Sequence, residues 1–202
     1  MVDRLESYED IINLEVGDTG LNRAKTLERE FNIRQLFIKY EGDNPTGTQK
    51  DRIAFAQIYD ALRREYHTVS LATCGNYGVA VALAANLAGI DCKIFIPESY
   101  HTDRIVEMET LGAEIIRMHG SYEDVVKESS ELARQNDWYD ANPGGSNTAL
   151  QISAYSQIAL EIYEDLGDAP KYCAVPVSNG TLFAGIYRGF VCLYKRGKTS
   201  HI

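Results

Sequence analysis

No run of about 18 apolar residues occurs in the sequence, which excludes a membrane-spanning helix of ordinary length. Basic charge is scarce: 20 Lys and Arg stand against 29 Asp and Glu, a formal net charge of −9. A surface of that sign disfavours nucleic acid and anionic membranes as partners. The first residues, MVDRLESYEDIINLE, are acidic and lack the apolar centre of a secretory signal, so a cytoplasmic protein is expected. The four cysteines, Cys74, Cys92, Cys173 and Cys192, are widely spread, without a C-x-x-C pair or a nearby His at zinc spacing. They are expected to be buried, reduced thiols, and no metal site is expected. His67, His101, His119 and His201 do not cluster in sequence either.

Several familiar phosphate and catalytic signatures are also missing. No G-x-G-x-x-G follows a strand, and there is no G-x-S-x-G elbow. RGKTS near the end lacks the first glycine of a P-loop, because position 192 is Cys, and it follows a helix rather than a strand. Gly75-Asn76-Tyr77-Gly78 matches an RNA-binding G-x-x-G in letters only, without flanking basic residues.

What is present is an ordinary folding composition, 45% hydrophobic and 24% charged over 202 residues, with strands and helices in alternation. Strands are expected at 34–41, 68–73, 92–97, 114–118 and 171–177. Helices are expected at 51–66, from Val79 to Gly89, at 102–113 behind a Thr102 or Asp103 cap, at 122–135, from Thr148 to Gly167, and after Thr181. This is the pattern of parallel β-α-β units, an α/β fold with right-handed crossovers. DANPGGSN (140–147) breaks the pattern and reads as a return crossing between two lobes. The chain stops at KTSHI, just after a helix, where the series would begin its next strand.

Three junctions carry candidate chemistry, at the strand-to-helix positions where α/β proteins bind ligands. In GDNPTGTQKDRIA (42–54), Lys50 stands in the first turn of a helix. A cation there opposes the helix dipole; with burial, the same field favours the neutral amine that attacks carbonyls. A solvated lysine paired with Asp51 or Glu41 is the other reading. In TCGNYG (73–78), backbone N–H groups and Thr73 could receive a carboxylate, or the turn could be a plain glycine turn. In PVSNGTLFAG (176–185), Ser178, Gly180 and Thr181 open a helix whose free N–H groups form an anion nest, or merely cap it. An amine, a carboxylate cradle and a phosphate nest in one α/β chain point together to pyridoxal phosphate (PLP).

The motifs resemble those of the fold-type II PLP enzymes, most closely the threonine synthases. NPTGTQKDR is similar to the lysine motif N-P-T-G-S-x-K-D-R, TCGNYG to the Ser/Thr-x-Gly-Asn loop, and PVSNGTLFAGIYRGF to the phosphate loop. VGDTGL (16–21) is similar to an N-terminal Gly-x-Thr-Pro-Leu segment. The resemblance covers nearly the whole chain in order. It implies that Lys50 is the Schiff-base lysine and the catalytic base or acid. Asn76 would bond the cofactor's phenolic oxygen. Thr73, Cys74 and Gly75 would line the substrate carboxylate, and Ser178, Asn179, Gly180 and Thr181 would hold the cofactor phosphate. It also implies a two-lobed fold: a large cofactor-binding lobe from 1–52 and 147–202, and a small doubly wound lobe from 53–146. The implied reaction converts O-phosphohomoserine and water to threonine and phosphate. The partners are then a small amino-acid substrate and a second copy of the chain in a dimer.

The chain departs from the family pattern in places. Gly20 replaces the Pro of the N-terminal segment, Gln49 stands where Phe is frequent, Cys74 takes a common Ser site, and Ser178 replaces a glycine. After Asn142-Pro143 the chain reads GGSNTALQ, without the Arg that threonine synthases often carry there. A serine/threonine dehydratase or β-replacement synthase shares the core motifs, and so would a non-catalytic member of the fold. Family members also run well beyond this terminus. The chain is therefore expected to be an N-terminal portion with an incomplete large lobe, inactive and self-associating by itself.

Overall fold

The computed structural model describes residues 3–202; Met1 and Val2, which open the expected large lobe, lie outside them. Its centre is a four-stranded parallel sheet: β3 (Thr68–Ala72), β4 (Asp91–Pro97), β5 (Glu114–Met118) and β6 (Tyr139–Asp140), in the order β5-β4-β3-β6. The register sets Val69 beside Cys92 and Tyr139, and Ile94 beside Ile115. The alternation of strand and helix thus gives the α/β class expected. The two-residue β6 falls where the sequence pattern broke off.

Elements before and after the sheet were less visible. α1 (Arg4–Glu15) begins at Asp3, whose carboxylate accepts the Leu5 N–H at 3.2 Å. A short antiparallel pair follows, β1 (Leu21–Arg23) with β2 (Phe37–Lys39), separated by α2 (Lys25–Phe31). The strand expected at 34–41 is therefore only three residues long, and its partner is Leu21–Arg23, which begins at the last residue of VGDTGL, rather than the parallel sheet.

α4 (Asn76–Ala88) packs on one face of the sheet, and α3 (Lys50–Arg63) packs against α4. α4 is buried almost all round because it is built from Ala, Val and Gly, which let neighbouring backbones approach. Gly78 meets Met108 and Thr73 so closely that a Cβ would fall 2.8 Å from the Thr73 methyl. α5 (Arg104–Thr110) starts where the Thr102 hydroxyl accepts the Arg104 N–H at 3.2 Å, and Gly112 ends it with φ +86°. α6 (Tyr122–Gln135) covers the opposite face behind a reciprocal Ser121–Asp124 capping box, holding Val125 against Ala72 and Phe95.

The longest helix, α7 (Thr148–Leu166), lies against α8 (Thr181–Lys195). Two glycines make that contact possible. A Cβ at Gly189 would stand 2.6 Å from both the Ala159 Cβ and the Ser156 carbonyl, and one at Gly185 would overlap Tyr155. Gly189→Val should therefore force the helices apart and cost about 1–3 kcal/mol, lowering the denaturation midpoint. An unchanged midpoint would mean that the helices can slide apart freely.

Residues 171–177 correct the sequence reading. They form no strand and, among the described residues, exchange no backbone hydrogen bond with another segment. Their apolar composition was read correctly, but a strand exists only by pairing, and no described strand adjoins them. The expectation of four buried thiols also fails in part. Cys92 is buried and Cys74 partly so, while Cys173 and Cys192 are exposed, on the unpaired segment and on α8. All four are free.

Candidate active site

Lys50 is the first residue of α3. Its N–H is accepted by the Thr48 hydroxyl at 3.1 Å, so the TGT turn both ends the preceding segment and aims the lysine. The expected alternatives for its amine are occupied elsewhere. Asp51 is fully buried and accepts the Thr46 N–H at 2.9 Å and the Thr46 hydroxyl at 2.8 Å. Glu41 is bound to Arg52. Among the described residues no carboxylate comes within 4 Å of the Lys50 amine. The amine instead lies 5.8 Å from the centre of the Tyr77 ring. Burial pushes its pKa below the ordinary lysine value. The solvated, carboxylate-paired lysine is therefore not what the fold builds.

Tyr77 ties this helix to the next motif. It directly follows Asn76, is buried, and donates its hydroxyl to the Ala141 carbonyl at 2.8 Å. The Gln57 amide donates back to that hydroxyl. Gln151 of α7 donates to the Gln57 side chain at 3.2 Å and to the Asn142 carbonyl at 3.3 Å. One buried polar chain thus fixes α3, α4, the 141–142 loop and α7 relative to one another. Polar residues at 57, 77 and 151 inside apolar helices were the available signal, and their roles could not be read without the fold.

The 73–76 loop leaves the carboxyl end of β3. Thr73 is buried and donates its N–H to the Phe95 carbonyl at 3.2 Å; Cys74 is half-buried, and Asn76 is exposed at the start of α4. Nothing would touch a Cβ at Gly75 within 4 Å, so open space adjoins the loop. Asn142 supports the loop from below, its side-chain oxygen accepting the Ala72 N–H at 2.8 Å while its amide reaches Ser129 and Ser130, each at 3.0 Å.

Ser178 and Asn179 are exposed, and Gly180 takes φ +83° as the residue before α8. The Asn179 side chain accepts the Thr181 N–H at 3.1 Å. Open space adjoins Gly180 as it does Gly75. Ser178 and Asn179 share a cavity of about 300 Å³ with Tyr122, Glu123, Val126 and Pro143. Tyr122 in turn donates its hydroxyl to the Ala72 carbonyl at 3.2 Å, next to the 73–76 loop. The fold therefore brings Lys50 to the 73–76 loop through Tyr77, and residues 178–179 to the same strand end through Tyr122. No hydrogen bond joins Lys50 to 178–181 directly among the described residues. An unpaired, desolvated amine, open space at two glycines and a helix start with a left-handed glycine together fit a phosphorylated aldehyde cofactor.

Behind the lysine lies a cluster that the sequence reading missed. The buried Arg52 guanidinium meets Glu41 at 2.6 and 2.9 Å and Glu161 at 2.5 and 2.8 Å. Lys39 also reaches Glu161, at 2.6 Å. Burial alone would raise the Glu161 pKa, but hydrogen bonds from Arg52 and Lys39 outweigh it and hold the carboxyl at about 2.

Residues 12–199 match the family described as pyridoxal-phosphate dependent enzyme. The chain is 30% identical to the threonine synthase of Methanocaldococcus jannaschii, over 89% of this chain and 44% of that protein. It is also 30% identical to the threonine synthase of a Bacillus strain, over 93% of this chain and 52% of that protein. Among solved structures, maize serine racemase superposes with a TM-score of 0.78 at 24% identity, over 96% of this chain and 58% of that one. The cysteine synthase of Entamoeba histolytica does so with 0.78 at 22%, over 100% and 59%. The chain thus spans about half the length of the curated relatives it matches. Match, fold and site agree that this chain belongs to the PLP-dependent enzymes of fold type II, with pyridoxal 5'-phosphate as its cofactor.

Proposed function

We propose that the chain carries the cofactor-binding part of an enzyme that converts O-phosphohomoserine and water to threonine and phosphate. The observation that carries this reading is the Lys50 amine, half-buried at a helix start without a carboxylate partner, in a chain 30% identical to threonine synthases. When bound, the cofactor supplies an electron sink for carbanions formed on the amino acid. Lys50 holds the cofactor and, once free, takes and returns protons at its Nζ; a lowered amine pKa suits that exchange near neutral pH. Asn76 bonds the cofactor's ring oxygen, and the 73–75 backbone with Thr73 receives the substrate carboxylate. Ser178, Asn179, Gly180 and Thr181 take the cofactor phosphate, for which Asn179 must release the Thr181 N–H it now accepts. In this reading residues 1–52 and 147–202 form one lobe, residues 53–146 the other, and the protein works in the cytoplasm as a dimer.

The phosphate role sets an expected result. Thr181→Ala should weaken PLP binding by about 1–2 kcal/mol, one hydrogen bond to a charged group, in a fluorescence titration. Binding equal to the parent's would move the nest elsewhere.

A second reading, elimination from serine or threonine, is favoured by one observation. The loop after Pro143 has no cation, and Glu123 lines the neighbouring cavity. Product analysis on the complete gene product separates the two. Threonine and inorganic phosphate in equal amounts from O-phosphohomoserine support the first reading. Keto acid from serine, with O-phosphohomoserine untouched, establishes the second.

A further inference from the structure

The register of the sheet places one cation beside the 73–75 loop. Ala72 pairs with Phe95, so Thr73 falls beside Ile96, and Ile96 pairs with Arg117. Two strand spacings, about 10 Å, separate the Thr73 and Arg117 backbones at the carboxyl edge of the sheet. The faces also agree. Ile115 packs with Leu71, Ile94 and Ile96, whereas Ile116 and Met118 pack with Ala72, Phe95 and Val125 on the α6 side. Alternation therefore puts Arg117 on the face of Ile115, which is also the face of Thr73 and α4.

Arg117 is exposed, yet its guanidinium is not loose. One nitrogen donates to the Tyr100 carbonyl at 2.9 Å and to the Glu98 carbonyl at 3.5 Å. No carboxylate pairs with it among the described residues, since Glu98 turns its acid to His119 at 2.8 Å. Its other N–H groups have no partner among the described residues. Burial pushes the Cys74 thiol up while the Arg117 charge opposes that shift, so the cation acts electrostatically on the loop itself.

We infer that Arg117 is a specificity-determining residue that binds the distal phosphate of the substrate. The inference rests on the proposed reading that the loop at 73–75 receives the substrate carboxylate. A guanidinium fixed at one nitrogen by two carbonyls presents its remaining edge as a fork matched to phosphate oxygens. A substrate carboxylate on the loop leaves its side chain to extend across β4 toward that edge.

Two ligands and three proteins test it, by direct titration of the PLP-loaded chain followed through the cofactor's absorption. O-phospho-L-homoserine should bind the parent more tightly than L-homoserine, which lacks only the phosphate. Arg117→Gln should weaken the phosphorylated ligand by about tenfold or more, the scale of lost hydrogen bonds to a charged group, and Arg117→Lys by less. L-homoserine should bind all three proteins within about twofold. Equal weakening of both ligands would make Arg117 a clamp for the 98–100 segment and overturn the inference. So would unchanged binding of the phosphorylated ligand. A parent that binds cofactor but responds to neither amino acid would defeat the underlying reading, and the inference with it.

Discussion

Lys50→Ala protein mixed with PLP should show none of the visible absorption of lysine-bound cofactor, while the parent shows it at stoichiometric PLP. Removing the amine removes the group proposed to form the covalent bond. The proposed ring and phosphate contacts remain, so the variant should still take up PLP weakly and lose it on dialysis. Arginine at this position should behave like alanine, because a guanidinium stays protonated and does not attack carbonyls. Visible absorption surviving in Lys50→Ala would place the covalent bond on another lysine and detach the buried amine from the chemistry.

Arg52→Met should be the most destabilising single change in the chain, by about 3–5 kcal/mol. It leaves the Glu41 and Glu161 carboxylates facing each other in a largely dry site without their shared partner. Urea unfolding measures the loss, and a change under about 1 kcal/mol would mean that the cluster is solvated and contributes little. The pH dependence follows with its sign. Glu161 is held at about 2 in the folded chain, below the ordinary carboxylate value in the unfolded one. Its contribution is therefore complete above about pH 4.5 and is lost as pH falls toward 2. Parent stability should fall steeply across that window, and Arg52→Met should lose most of the slope.

The α/β class was legible because the strands at 68–72, 91–97 and 114–118 are short apolar runs between helices with their own punctuation. Thr102, Ser121 and Gly112 stand where caps belong, and the structure uses all three. The segment 171–177 looked the same by composition, but hydrophobicity reports what can pair and not what is there to pair with. The antiparallel β1–β2 pair was hidden for a related reason. Three-residue strands carry too little periodicity, and their pairing across α2 is a tertiary fact.

Lys50 stood out through its position against the helix dipole, and the NPTGTQ turn showed where the helix starts. What makes the lysine distinctive, the removal of both neighbouring acids, was not legible. Asp51 is claimed by Thr46 five residues back, and Glu41 by an arginine that also holds Glu161, 109 positions beyond Arg52 in sequence. Likewise nothing in the sequence marks the role of Tyr77, because its hydroxyl partners lie on α3 and in the 141–142 loop. Arg117 left no mark in the sequence at all; only the register of three strands places it two strands from Thr73 on the same face.

The most direct test of the central claim is borohydride reduction of the PLP-loaded protein, followed by peptide mass mapping. Reduction fixes the cofactor irreversibly on whichever amine holds it. The expected result is a single phosphopyridoxyl label on the peptide containing Lys50, at about one per chain. A label spread over surface lysines, or concentrated on any lysine other than Lys50, would contradict the account.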